Sequence, residues 1–262
     1  MRANDDVVCE EFFQGIIFLT AVKQSIEIVV PQEELRQLGI DWTYICDSSQ
    51  ALQLRPGPHR ILGDKLAPIY RIFDDTNGAF LHSLFATPPR YCHTIEVSEI
   101  ITNITVISNP KDIPIRGSVI QTVGIAVPSR MAHARDCNTL SGVRIAVKDI
   151  FKIRNVRTSV CNKAYYELYP PASETAECIK LLSQAGAVIL GTTKLASFAA
   201  TEEPVECIDY QAPWNPRADG YQSPAGSSSG SGVAVAAYSW VDIAIGSDSM
   251  LQYLQFISKL TL

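Results

Sequence analysis

Gly142-Val143-Arg144-Ile145-Ala146-Val147-Lys148-Asp149 is an apolar run that ends on a lysine and an aspartate. Its short length and β-branched residues predict a buried strand over Val143–Val147. Downstream, Ser173 can cap a helix that runs to Ala185, with Ala176, Ile179 and Leu182 on one face and Gly186 in the stop position. Ala187–Leu190 predicts a second strand, ending at Gly191. Strand, helix and strand in this order form a βαβ unit, so the fold class is α/β with a right-handed crossover.

Outward from that unit the chain changes character. Residues 1–115 mix short apolar runs with turn-rich stretches and read as a smaller α+β or β-rich N-terminal domain. Within it Gly15–Val22, Ser25–Val30 and Val97–Ile107 read as strands, and Gln32–Leu38 as a short helix closed by Gly39. His59, His82 and His93 stand alone there and read as surface or core histidines. Residues 116–139 hold Pro128 and several polar turns and read as a linker.

Composition narrows the function classes. Apolar residues make up 47% and charged residues 19% of the 262 residues, too apolar for a disordered chain. A net charge of −5 without any Lys/Arg-rich run gives no electrostatic reason to expect nucleic acid as a partner. Seven cysteines lie at wide spacings with no CxxC pair and no histidine at zinc-ligand spacing, the pattern of reduced thiols in a cytoplasmic protein, so no metal is expected. The Gly15–Val22 run is too short to span a bilayer, and the acidic start (Asp5, Asp6, Glu10, Glu11) lacks the basic region of a signal peptide.

Pro224-Ala225-Gly226-Ser227-Ser228-Ser229-Gly230-Ser231-Gly232 is the densest chemical signal. Small residues let backbone amides approach a bound group closely, and Val233–Tyr238 reads as a helix whose N-terminus favours negative charge. A flexible linker is the bland alternative. A phosphate cradle lacks the GxxxxGK[ST] pattern. The literal GxSxG match at Gly226–Gly230 fails as a nucleophile elbow, because a loop (Trp214–Gly220) precedes it instead of a strand and the last histidine is His133, upstream. A hydroxyl here needs another base, and Lys148, emerging at the C-terminal end of its strand, fits that role if burial lowers its pKa.

Four ordered motifs then resemble the amidase-signature family: Gly142–Asp149, Ala185–Lys194, Pro213-Trp214-Asn215-Pro216 and Ser223–Gly232, within residues 140–249. The resemblance implies a mixed-sheet α/β fold with flanking helices and hydrolysis of small carboxamides through a Ser–Ser–Lys triad without metal or organic cofactor. It places the base lysine on Lys148 and the first serine, held by a cis peptide, on Ser227, with Ser228 the second candidate. Ala225-Gly226 stands where the family has Gly-Gly. For residues 1–115 there is only an association, since a domain of this size precedes the amidase region in some proteins labelled scytalone-dehydratase-like.

The departure comes after Gly246-Ser247-Asp248-Ser249. Where the family continues with Gly-Gly-Ser, which supplies the oxyanion amides and the nucleophile, this chain has Met250, Leu251 and Gln252. Residues 250–262 form a divergent tail, and so abrupt a break reads as truncation before the nucleophile. Three expectations follow from these residues. Lys148, Ser227 and Ser228 cluster in space. Met250–Leu262 forms a short amphipathic helix or a mobile tail rather than completing the sheet. The chain hydrolyses no simple amide, and its uncovered apolar surface favours association with a partner or with further copies of itself. A reading from another class makes the chain a non-catalytic interaction module acting through its N-terminal domain.

Overall fold

The computed structural model describes residues 5–8, 15–19, 32–37, 42–46, 57–62, 65–86, 104–107, 124–133, 138–201, 209–217, 219–248 and 256–258. The chain divides into two interleaved compact units, one of residues 1–70, 88–94 and 128–135, the other of 71–87, 95–127 and 136–262. The first holds β1 (Gly15–Leu19) paired in parallel with β2 (Trp42–Cys46), the helix α1 (Gln32–Gln37), and an antiparallel hairpin of β3 (His59–Leu62) and β4 (Lys65–Pro68). Helix α1 stands where the sequence places it, and the reading of Ser25–Val30 as a strand falls outside the described residues.

The second unit is built on a six-stranded mixed sheet. Its order is β12 (Phe256–Ser258), β11 (Ile243–Ile245), β9 (Arg144–Lys148), β10 (Val188–Thr193), β6 (Phe80–Ala86) and β7 (Ile104–Ile107). The three central strands run parallel, and β12, β6 and β7 are antiparallel to their neighbours. Between β9 and β10 come the short helix α2 (Lys163–Leu168) and then α3 (Glu177–Gln184), and between β10 and β11 comes α4 (Ser229–Ala237). A separate pair, β5 (Tyr70–Asp74) with β8 (Gly124–Pro128), completes the described strands.

The βαβ reading holds, with α3 packing Ile179 fully buried and Ala176 and Leu182 against a core of Leu84, Ile145, Val147, Ile153, Val156 and Ile245. Truncating a core isoleucine such as Ile145 costs about 3 kcal/mol. Around α4 the filling is aromatic: Tyr238 stacks on Trp240 at 4.8 Å between ring centres, and Phe73 and Phe80 stack on the same indole.

Four readings need correction. Phe80–Ala86 and Ile104–Ile107 enter the sheet of the second unit, so the boundary near residue 115 does not coincide with a compact unit, and the linker segment 116–139 contains β8 and a 3-10 turn at Arg130–His133. Helix α3 starts at Glu177, with Ala176 rather than Ser173 at its cap. The reason is that the lead-in is tied elsewhere, Ala176 N–H donating to the Lys152 carbonyl and Ala172 N–H to that of Val156. Strand β10 runs on to Thr193 because Gly191 is not a stop: a Cβ there would lie 2.3 Å from the His82 carbonyl oxygen, so the glycine admits β6. Finally, Phe256–Ser258 is an edge strand against β11 rather than part of a helix, pairing Ile257 with Ala244. Hydrogen bonding along the open edge of β11 outweighs the near-helical spacing of the apolar residues.

Candidate active site

Lys148 is the last residue of β9, so the strand carries its backbone through the core and delivers its side chain at the C-terminal edge of the sheet. It is fully buried. Its ammonium donates to the Ser227 hydroxyl at 2.6 Å and to the Ser247 carbonyl at 2.8 Å. Burial pulls the lysine down from 10.5 to about 8, opposed by the nearby Asp248 carboxylate. A substantial fraction is therefore neutral near pH 8, and the neutral amine is the form that accepts a proton.

Ser227 lies 79 residues further along the chain, just before α4. Several small residues bring it there. Gly230, in the first turn of α4, sits against the end of β10, where a Cβ would be 2.4 Å from the Ala79 carbonyl oxygen and 2.5 Å from the Lys194 nitrogen. Its N–H donates to the Lys194 carbonyl, and the Ser227 carbonyl accepts from Ala196 N–H at 3.0 Å. The Gly226–Ser227 peptide is cis, and Ala225 has a φ of 57°, a left-handed conformation that favours glycine.

Ser228 occupies the N-cap position of α4 but does not cap the helix. Instead its hydroxyl donates to the Ser247 carbonyl at 3.0 Å and accepts from the Ser247 N–H at 3.1 Å. Gly246 makes room for this exchange, since a Cβ there would meet the Ser228 oxygen at 2.8 Å. One carbonyl, that of Ser247, thus receives both Lys148 and Ser228. One turn into the helix, Ser231 repeats the pattern by donating to the Ile245 carbonyl and bonding the Thr193 hydroxyl at 2.8 Å.

Sequence reasoning brought Lys148, Ser227 and Ser228 together, and the structure does the same. It did not single out Asp149, whose buried carboxylate accepts from Ser159 N–H, the Ser159 hydroxyl and Val160 N–H at 2.7, 2.7 and 3.0 Å. Burial pushes that carboxyl up to about 6, against the lowering effect of those bonds. The signal was present, an acidic residue directly after a core strand. His82 is a core histidine as read, stacked on Tyr166, bonded to the Thr192 hydroxyl at 3.0 Å, and held neutral by burial, which lowers it to about 4. Met250, Leu251 and Gln252 lie outside the described residues.

The family model described as Amidase matches residues 126–249. Those residues are an amidase-signature region. The match reaches further upstream than the sequence motifs do, into β8, and it ends one residue before Met250. Within the curated proteins, a glutamyl-tRNA(Gln) amidotransferase subunit from Sulfurisphaera tokodaii is 41% identical over 112 residues, 42% of this chain and 22% of that protein. Amidase 1 of Oryza sativa subsp. japonica is 40% identical over 110 residues, 42% of this chain and 25% of that protein. Of the solved structures, the corresponding glutamyl-tRNA(Gln) amidotransferase subunit from Thermotoga maritima is 26% identical, covering 49% of this chain and 25% of that one, with a TM-score of 0.38. The chain thus spans between a fifth and a quarter of the length of these curated relatives. Among the described residues no helix is long and apolar enough to cross a membrane.

Proposed function

We propose that the amidase-signature region supplies the proton-relay half of a site for hydrolysis of small carboxamides, with Lys148 as base and Ser227 as the relaying hydroxyl. The observation that carries this reading is the 2.6 Å contact between the Lys148 nitrogen and the Ser227 oxygen at the end of a core strand. Neutral Lys148 takes the proton of Ser227, and Ser227 takes that of an attacking hydroxyl. Later the same path returns a proton to the leaving amine. Ser228 acts by fixing the Ser247 carbonyl on which the lysine rests. The chemistry asked of the site needs neither metal nor organic cofactor. Seven scattered thiols support the cytoplasm as its compartment.

In this chain the attacking hydroxyl has no residue to carry it at the family's position, where Gln252 stands, preceded by Met250 and Leu251 in place of glycines. The chain of residues 1–262 is therefore an amidase-family protein without amide turnover. Loss of a serine nucleophile lowers turnover by on the order of a million-fold where it has been measured. Ammonia release from a panel of simple carboxamides is expected to stay at the uncatalysed rate. Turnover by the unaltered chain that disappears in Lys148→Ala would contradict this and point to a serine such as Ser249 as a replacement.

A further inference from the structure

Three hydroxyls of the glycine–serine loop differ sharply in what they touch. That of Ser228 is occupied on both sides by Ser247. That of Ser231 is buried between Thr193 and the Ile245 carbonyl. Ser227 alone of the three contacts an amine, and the residue is half-buried where Ser231 is fully buried. We propose that Ser227 is itself an acyl acceptor, forming with Lys148 a two-residue nucleophilic site for activated acyl donors such as aryl esters. The inference rests on the same Lys148–Ser227 contact as the relay reading and goes beyond it, because there the serine only passes a proton.

The geometry supports each part of the step. A neutral lysine has two hydrogens and one lone pair. The Ser247 carbonyl, 2.8 Å away, takes one hydrogen, and the lone pair is left to accept the Ser227 proton. As that proton moves to Nζ, the Ser227 oxygen forms a bond to the acyl carbon and the bond to the aryloxide breaks. The aryloxide leaves as an anion, and Nζ releases the proton to it or to solvent, so the lysine ends neutral and the serine ends as an ester. Negative charge gathering on the serine oxygen lies just before the N-terminus of the nine-residue helix α4, the end that favours it. An amide would not react this way at a measurable rate, because an amine is a far poorer leaving group than an aryloxide and its carbonyl is far less electrophilic. An aryloxide leaves unaided.

The test is to treat the full chain with p-nitrophenyl acetate, follow p-nitrophenolate, and map acetyl groups by mass spectrometry. We expect a burst of up to one equivalent with the acetyl group on Ser227, at a rate that rises with pH and levels off above about 8, where Lys148 becomes neutral. Ser227→Ala removes the burst, and Lys148→Met slows acetylation of Ser227 on the order of a hundred-fold or more. Site mapping separates any acylated cysteine from the serine. An unmodified Ser227 in the folded chain overturns the proposal, as does Ser227 acetylation at an undiminished rate in Lys148→Met. If that variant does not fold, the unaltered chain decides: a rate that climbs in proportion to hydroxide without levelling off also overturns it. A silent Ser227 beside a lysine that titrates near 8 leaves the relay reading standing, whereas a lysine that titrates near 10.5 removes both.

Discussion

Replacing Lys148 by methionine should stabilise the protein at neutral pH and remove a stability gain seen in alkali. The fold takes a lysine whose ordinary value is 10.5 and holds it at about 8. At about 1.4 kcal/mol per pH unit, that drop corresponds to about 3 kcal/mol of unfavourable interaction with the charged form. The sign follows from proton uptake. Between pH 8 and 10.5 the unfolded chain holds a proton that the folded chain has lost, so stability rises with pH across that window and is flat on either side. Methionine has no such proton. It also gives up the bonds to Ser227 and to the Ser247 carbonyl, a loss of about 1 kcal/mol because Ser228 still serves that carbonyl. The net expectation for Lys148→Met is a gain of about 2 kcal/mol at pH 7 that is gone by pH 10. Urea unfolding midpoints of both chains at pH 7, 8, 9 and 10 measure it. Parallel pH profiles for the two proteins would refute the claim that this lysine is held out of its charged state.

Asp149 gives a second pH window of opposite slope. Its carboxyl stands at about 6 in the fold against an ordinary 3.8, so it contributes stability that is fully present below pH 3.8 and is lost as pH rises through 6, about 3 kcal/mol in all. Asp149→Asn should flatten the urea midpoint between pH 4 and 6. Ala225 adopts a φ of 57°, which costs an L-residue about 1–2 kcal/mol, and glycine gives back about 0.5–1 kcal/mol through the unfolded chain. Ala225→Gly is therefore expected to raise the thermal midpoint by about 2 °C, read by calorimetry, and a lower midpoint would show that the loop is not strained there.

Much of the central unit was legible because its residues report on local rules. The strand ending at Lys148, the apolar face of α3 through Ile179, and the stop at Gly186, which has a φ of +97°, all follow from spacing and backbone freedom alone. The lysine–serine contact was legible only through the order of motifs, since nothing local links residues so far apart. What escaped the reading depends on partners distant in the chain. Gly191 looks like a terminator until the His82 carbonyl is seen 2.3 Å from where its Cβ would be. Phe80–Ala86 carries no sign that it belongs beside β10, and residues near Phe256 look helical until the open edge of β11 is taken into account. Ser228 shows the same limit in the site. The sequence places the helix at Val233–Tyr238, whereas α4 already begins at Ser229, and the Ser228 hydroxyl before it is taken by Ser247, just beyond β11.

The proposed relay requires Lys148 to be a base held ready by Ser227. Selective carbon-13 labelling of lysine side chains, with Lys148 assigned through Lys148→Met and followed by NMR from pH 6 to 11, tests it most directly. One resonance is expected to titrate near 8 and to shift its midpoint in Ser227→Ala, which removes the partner at 2.6 Å. A Lys148 resonance that titrates near 10.5 with the other lysines, unchanged by Ser227→Ala, would contradict it.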